Sequence, residues 1–147
     1  MSYIARIACL SLALSVLTAA PGGTRLLRTP TVSANQIAFA YAENIWVVPR
    51  SGGMARRITS FAGQTGNPHF SPNGQWLAFS AEYAGNSDVF VVSAEGGEPK
   101  RLTWHPGADT VQGWTPDGIS IVFSSARATW APSAAPRSTC TAPIGPG

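Results

Sequence analysis

The segment Gly85-Asn86-Ser87-Asp88-Val89 opens like the elbow that exposes a nucleophilic serine in esterases and peptidases. That elbow needs glycine at both ends, because its strained turn from strand to helix leaves no room for side chains. Here Val89 stands at the closing position, and the segment lies between two strand-like apolar runs. Ser87 is therefore read as a hairpin serine. His69 and His105 are 36 residues apart, with no carboxylate or thiol at ligand spacing, and each adjoins a proline in a connection. That pattern does not describe a zinc site. Arg56-Arg57 and Lys100-Arg101 recur 44 residues apart, which makes them solvated positions beside an outer strand rather than an anion site. The tryptophans at 46, 76, 104, 114 and 130 are of the type that lines sugar sites. Trp46 and Trp114, however, replace Phe90 and Phe70 in the repeat described below, and equivalence to Phe argues for core packing. No catalytic, cofactor-binding or metal-ligating residue is assigned on these grounds.

Any such residue must be positioned by a small scaffold. The chain has 147 residues, 44% hydrophobic and 10% aromatic, which is the composition of one globular domain. A mean hydropathy of +0.06 and the lack of a second long apolar run exclude a polytopic membrane protein. The formal charge of +3 is spread over scattered basic residues, so no nucleic-acid-binding face is indicated. Residues 1–20 read as a secretory signal peptide, with Arg6 in its basic region, the apolar run IACLSLALSVL, and the small residues Thr18, Ala19 and Ala20. Ile7 to Ala20 is 14 residues, short of the roughly 20 that span a bilayer. Cleavage after Ala20 and after Gly22 both leave small residues where they are needed. Cys9 departs with the signal, and Cys140, then alone, cannot form an internal disulfide.

Internal repetition gives the scaffold its form. Asn44 to Thr59, NIWVVPRSGGMARRIT, aligns with Asp88 to Thr103, DVFVVSAEGGEPKRLT, at an offset of 44. Phe70 to Phe79, FSPNGQWLAF, aligns with Trp114 to Phe123, WTPDGISIVF, at the same offset, and VSANQIAF from Val32 to Phe39 is a shorter, degenerate copy. A period of this length filled with short strands belongs to propeller blades. Ile45–Val48 and Val89–Val92 are apolar at every position, which predicts burial on both faces between stacked blades. Ser71-Pro72-Asn73-Gly74 and Thr115-Pro116-Asp117-Gly118 are turns in which proline presets φ and glycine accepts a positive one. The paired glycines at 52-53 and 96-97 turn the chain toward the outer strand. Phe39 and Trp46 are 7 apart whereas Phe79 and Phe90 are 11 apart, so the hairpin around Glu82–Ser87 is expected to be a longer loop.

FSPNGQWLAF followed by DVFVVSAEGGEPKRLT resembles the WD-like Pro-Asp repeats of periplasmic propellers, and most of all the first propeller of bacterial tricorn-like serine peptidases. Two stretches set it nearer to these peptidases than to the Tol-system propeller TolB. They are TPTVSANQIAFAYAENIWVVPRSGG and HPGADTVQGWTPDG, within a likeness running from Leu26 to Arg127. The resemblance implies an all-β, partial β-propeller of about two and a half four-stranded antiparallel blades. Expected bounds are a linker at 21–29, blades at 30–59, 67–103 and 111–127, and an irregular tail at 128–147 in which only Thr141–Ile144 is strand-like. It further implies a fragment of a longer secreted or periplasmic peptidase, whose nucleophile, base and oxyanion hole match no position here. The propeller would handle unfolded polypeptide, or self-associate through open blade edges. The alternatives are a TolB-like scaffold that binds envelope proteins and a stand-alone binding protein.

Overall fold

A computed structural model of the chain describes residues 26–126 and the backbone of 137–140. Among them are strands only, in three antiparallel sheets. Blade 1 comprises β1 (Arg28–Val32), β2 (Gln36–Tyr41), β3 (Asn44–Pro49) and β4 (Arg56–Arg57). Blade 2 comprises β5 (Thr65–Phe70), β6 (Trp76–Tyr83), β7 (Asn86–Ser93) and β8 (Lys100–Arg101). Blade 3 has β9 (Asp109–Trp114), β10 (Ile121–Ser125) and β11 (Arg137–Cys140). Each sheet runs in chain order, and the first strands β1, β5 and β9 lie side by side, the arrangement of blades around an axis.

Two cores form, one on each face of blade 2. Leu77, Phe79, Ala81, Phe90 and Val92 face Ala38, Ala40, Ile45 and Val47 of blade 1. Ala78, Val89 and Val91 point the other way, onto Val111, Ile121 and Phe123 of blade 3. Continuous apolarity in Val89–Val92 thus serves two interfaces at once. In blade 1 the expectation of two-sided burial is corrected: Ile45 and Val47 are buried, whereas Trp46 and Val48, on the opposite face, are only half-buried. That face has no neighbouring sheet among the described residues.

The turns follow the local chemistry read from the sequence. Gly74 and Gly118 both have φ +72°, and their N–H groups donate to Ser71 and Thr115 carbonyls at 2.8 and 2.9 Å. Within these turns the hydroxyls of Ser71 and Thr115 accept from the backbone N–H of Trp76 and Ser120. Ser33 plays the same part for Gln36, which explains why the degenerate copy still turns.

Other expectations need correction. The first strands begin at Arg28, Thr65 and Asp109, two residues ahead of the expected blade starts. Each contains a bulge in the same place, opposite Phe39, Phe79 or Phe123. In β1 and β5 the bulged pairs are Thr29-Pro30 and Asn67-Pro68, whose proline-rich composition reads as connection although a bulge accommodates it within a strand. The β6–β7 hairpin is not a longer loop. Both hairpins turn on two residues with positive φ, Ala42-Glu43 and Ala84-Gly85, and the four extra residues lengthen the strands from 6 to 8 residues each. The third strand of blade 3 lies at Arg137–Cys140, inside the tail expected to be irregular and ahead of Thr141–Ile144. Ile121 to Ser124 pair with it, so the open edge of β10 supplies the ladder that the polar sequence Arg-Ser-Thr-Cys does not advertise. The expected signal peptide, Cys9, Trp130 and Thr141–Ile144 lie outside the described residues.

Candidate functional site

In blades 1 and 2 a clasp fastens the start of the third strand. In blade 1 the Thr59 hydroxyl accepts from the Ile45 N–H at 2.9 Å and donates to Asn44 Oδ1 at 3.3 Å. In blade 2 Thr103 does the same for Val89 and Asp88, at 3.0 and 3.3 Å. Asp88 is fully buried, and its charge is met by the Arg101 guanidinium at 2.6 Å. Arg101 also donates to the Thr103 carbonyl and lies 5.3 Å from the centre of the Tyr83 ring. Its expected role as a solvated outer residue is therefore corrected: a buried carboxylate beside it holds it. Arg56 is a bridge as well, donating to the Ala94 and Glu95 carbonyls of the next blade at 2.7 and 2.8 Å, while Arg57 and Lys100 are exposed.

Above the clasp, blade 2 carries two residue pairs with no counterpart in blade 1, Glu82↔Ser87 and Tyr83↔Asn86. The connection from blade 1 to blade 2 docks against this extension through the Glu82 N–H, which donates to the Gln64 carbonyl at 2.8 Å. Gly63 makes the approach possible, since a Cβ there would stand 2.7 Å from the Glu82 carbonyl oxygen. Between connection, extension and β8 runs a groove of about 1300 Å³. Phe61 and Phe90, with ring centres 4.9 Å apart, belong to its lining, as do the exposed Tyr83 and Trp104. Glu43, Glu82 and Glu98 are exposed around it, opposed by one exposed cation, Arg57.

Sequence reasoning missed this groove. Trp104 stands where the repeat has Ser60, and Tyr83 belongs to the extension; a large aromatic at an exposed repeat position was the available signal. Of the residues weighed from sequence, Ser87 is half-buried and its hydroxyl donates to the Asp109 carbonyl of blade 3 at 3.2 Å. His105 is exposed, and its Nδ1 accepts from the Gly107 N–H. His69 lies in β5, where burial pushes its imidazole below the usual 6.5, and its carbonyl accepts from Trp114 Nε1 at 2.9 Å. The structure does not bring the three together. Trp114 and Trp76 pack against the second core, and Trp46 donates to the Tyr41 carbonyl on the open face of blade 1. Among the described residues no three His, Cys, Asp or Glu side chains are grouped to hold a metal, and no helix is long and apolar enough to cross a membrane.

Known proteins share this arrangement of blades. The tricorn protease structure is 28% identical with a TM-score of 0.60, over 67% of this chain and 11% of that one. TolB from Acinetobacter baumannii is 31% identical with a TM-score of 0.61, over 69% of this chain and 27% of its own. A putative TolB from Agrobacterium tumefaciens, 21% identical at a TM-score of 0.60 over 69% of this chain and 39% of its own, shares the fold. The chain thus corresponds to well under half of each of these proteins. No curated protein matches it. The family model of the tricorn protease N-terminal beta propeller domain matches residues 24–141, from before β1 to beyond β11, and by that match the chain belongs to this family.

Proposed function

We propose that this chain is a non-catalytic propeller module of a secreted or periplasmic tricorn-like serine peptidase, serving polypeptide access or protein interaction while catalysis resides on other residues of the intact protein. The match to the tricorn N-terminal propeller over 24–141 carries the reading. The placement of Ser87 supports it: its hydroxyl fastens two blades instead of meeting a histidine. Coding DNA on the 3′ side of this chain supplies the test. A peptidase domain there is the expected result, together with a protein found in the envelope fraction and trimmed between Ala19 and Gly23. Purified chain should hydrolyse no casein; sustained turnover abolished by Ser87→Ala but not by Ser71→Ala would overturn the non-catalytic assignment.

The 31% identity to TolB favours a second reading, a scaffold that binds other envelope proteins. Cross-linking in the envelope that captured such proteins, with no peptidase sequence downstream, would establish it over the first.

A further inference from the structure

We propose that the groove between blades 1 and 2 seats an extended, cationic segment of polypeptide. This deepens the reading of the chain as a polypeptide-handling module and rests on it. Three observations meet at the groove. The first is its size: about 1300 Å³ exceeds the roughly 300–1,000 Å³ of pockets that enclose small molecules, and it is open, which suits a stretch of polymer.

The second is its sign. Glu43, Glu82 and Glu98 are exposed on its lining, and Arg57 is the exposed cation facing them. Arg101 adds little positive field, because its charge is met by Asp88 at 2.6 Å. The groove is therefore acidic on a chain whose formal charge is +3, so its sign does not merely follow the composition. Charge complementarity selects lysine- or arginine-bearing segments.

The third is its aromatic wall. Tyr83 and Trp104 are 54% and 68% exposed, large rings left in water at one site. Tyr83 already holds a guanidinium 5.3 Å from its ring centre, which shows the geometry a bound cation would adopt on an aromatic face. The wall is also an addition to the fold. Blade 1 closes its sheet without the pairs Glu82↔Ser87 and Tyr83↔Asn86, so the exposed side chains of Glu82 and Tyr83 have no counterpart there.

Fluorescence anisotropy of the full chain with a labelled peptide alternating arginine and leucine tests the proposal. A peptide of the same length alternating glutamate and leucine is the comparison. The arginine peptide should bind, and both the double variant E82Q/E98Q and Trp104→Ala should weaken it by roughly tenfold or more. Glu95→Gln, at a carboxylate outside the groove lining, should leave binding unchanged, and unchanged amide protection in Ile45–Val48 should confirm that the variants fold. Equal or tighter binding of the glutamate peptide would overturn the proposal. So would binding of neither peptide, or binding indifferent to the groove variants. These results leave the peptidase reading standing, since that depends on the coding sequence downstream.

Discussion

The ion pair beneath the groove makes a quantitative prediction, because the chain contains its own comparison. Asp88 is fully buried, and Arg101 retains about a quarter of its side-chain exposure. At the equivalent place in blade 1, Asn44 makes the threonine contact without a charge, and Arg57 is exposed. Arg101→Ala strands a buried carboxylate, which costs about 3 kcal/mol, the lower end of what breaking a buried pair costs because Arg101 is partly in water. Asp88→Asn keeps an oxygen for the Thr103 hydroxyl and loses one charge-assisted bond, about 1–2 kcal/mol. The double variant D88N/R101A reproduces the uncharged arrangement of blade 1. It should cost no more than about 2 kcal/mol, less than Arg101→Ala alone, giving a coupling of at least about 2–3 kcal/mol. Urea unfolding followed by tryptophan fluorescence, with the denaturant slope constant across the series, measures all three. Additivity within about 0.5 kcal/mol would refute the reasoning, since the pair would then not be a unit.

Gly63→Ala forces a methyl against the Glu82 carbonyl, 2.7 Å from the ideal Cβ position, and should lower stability by about 1–3 kcal/mol in the same urea assay. Arg56→Ala removes two bonds to carbonyls of the next blade from a partly exposed side chain; a loss near 1 kcal/mol is expected, with faster amide exchange at the Gly96-Gly97 turn. His69 is held neutral by burial, so the unfolded chain takes up its proton first as pH falls below 6.5. Its contribution is intact above that pH and is lost through the window beneath it, and His69→Gln should flatten stability against pH below 6.5.

The repeat was legible because packing enforces it. A blade between two others must bury both faces, and Val89–Val92 carries that requirement in four consecutive apolar residues. The turn glycines were legible for a local reason, a positive φ that other residues resist. Neither kind of signal exists for the bulged inner strands. Asn67-Pro68 looks like a connection, and only pairing with β6 on either side of the bulge makes it part of a strand. Arg137–Cys140 is likewise a strand because β10 has an edge to offer, not because of its composition. The four-residue difference between the hairpins was visible as a number. Its meaning was not, since a longer loop and a longer pair of strands have the same spacing, and the Ala84-Gly85 turn decides for strands.

The groove was hidden for a related reason: its lining comes from a connection, a hairpin and an outer strand that only the blade packing assembles. Of the five residues that most resembled catalytic machinery, Gly85 alone is in its lining, and each of the five has a structural task. Gly85 supplies the turn with φ +83°, and Asn86 donates to the His105 carbonyl at 2.7 Å. Ser87 reaches the Asp109 carbonyl, Asp88 holds Arg101, and the Val89 N–H is met by Thr103. A blade end must be tied to its outer strand, to the connection beyond it and to the next blade, and each tie needs a polar side chain that meets a specific backbone or charged partner. Polarity concentrated at such a point is what a search for catalytic motifs detects. The residues free to meet a ligand are the ones with no such tie, Trp104 and Glu98 among them, and they carry no motif. Under the proposal made for the groove, the guide to a binding site is an exposed aromatic without a structural partner rather than a match to a short catalytic pattern.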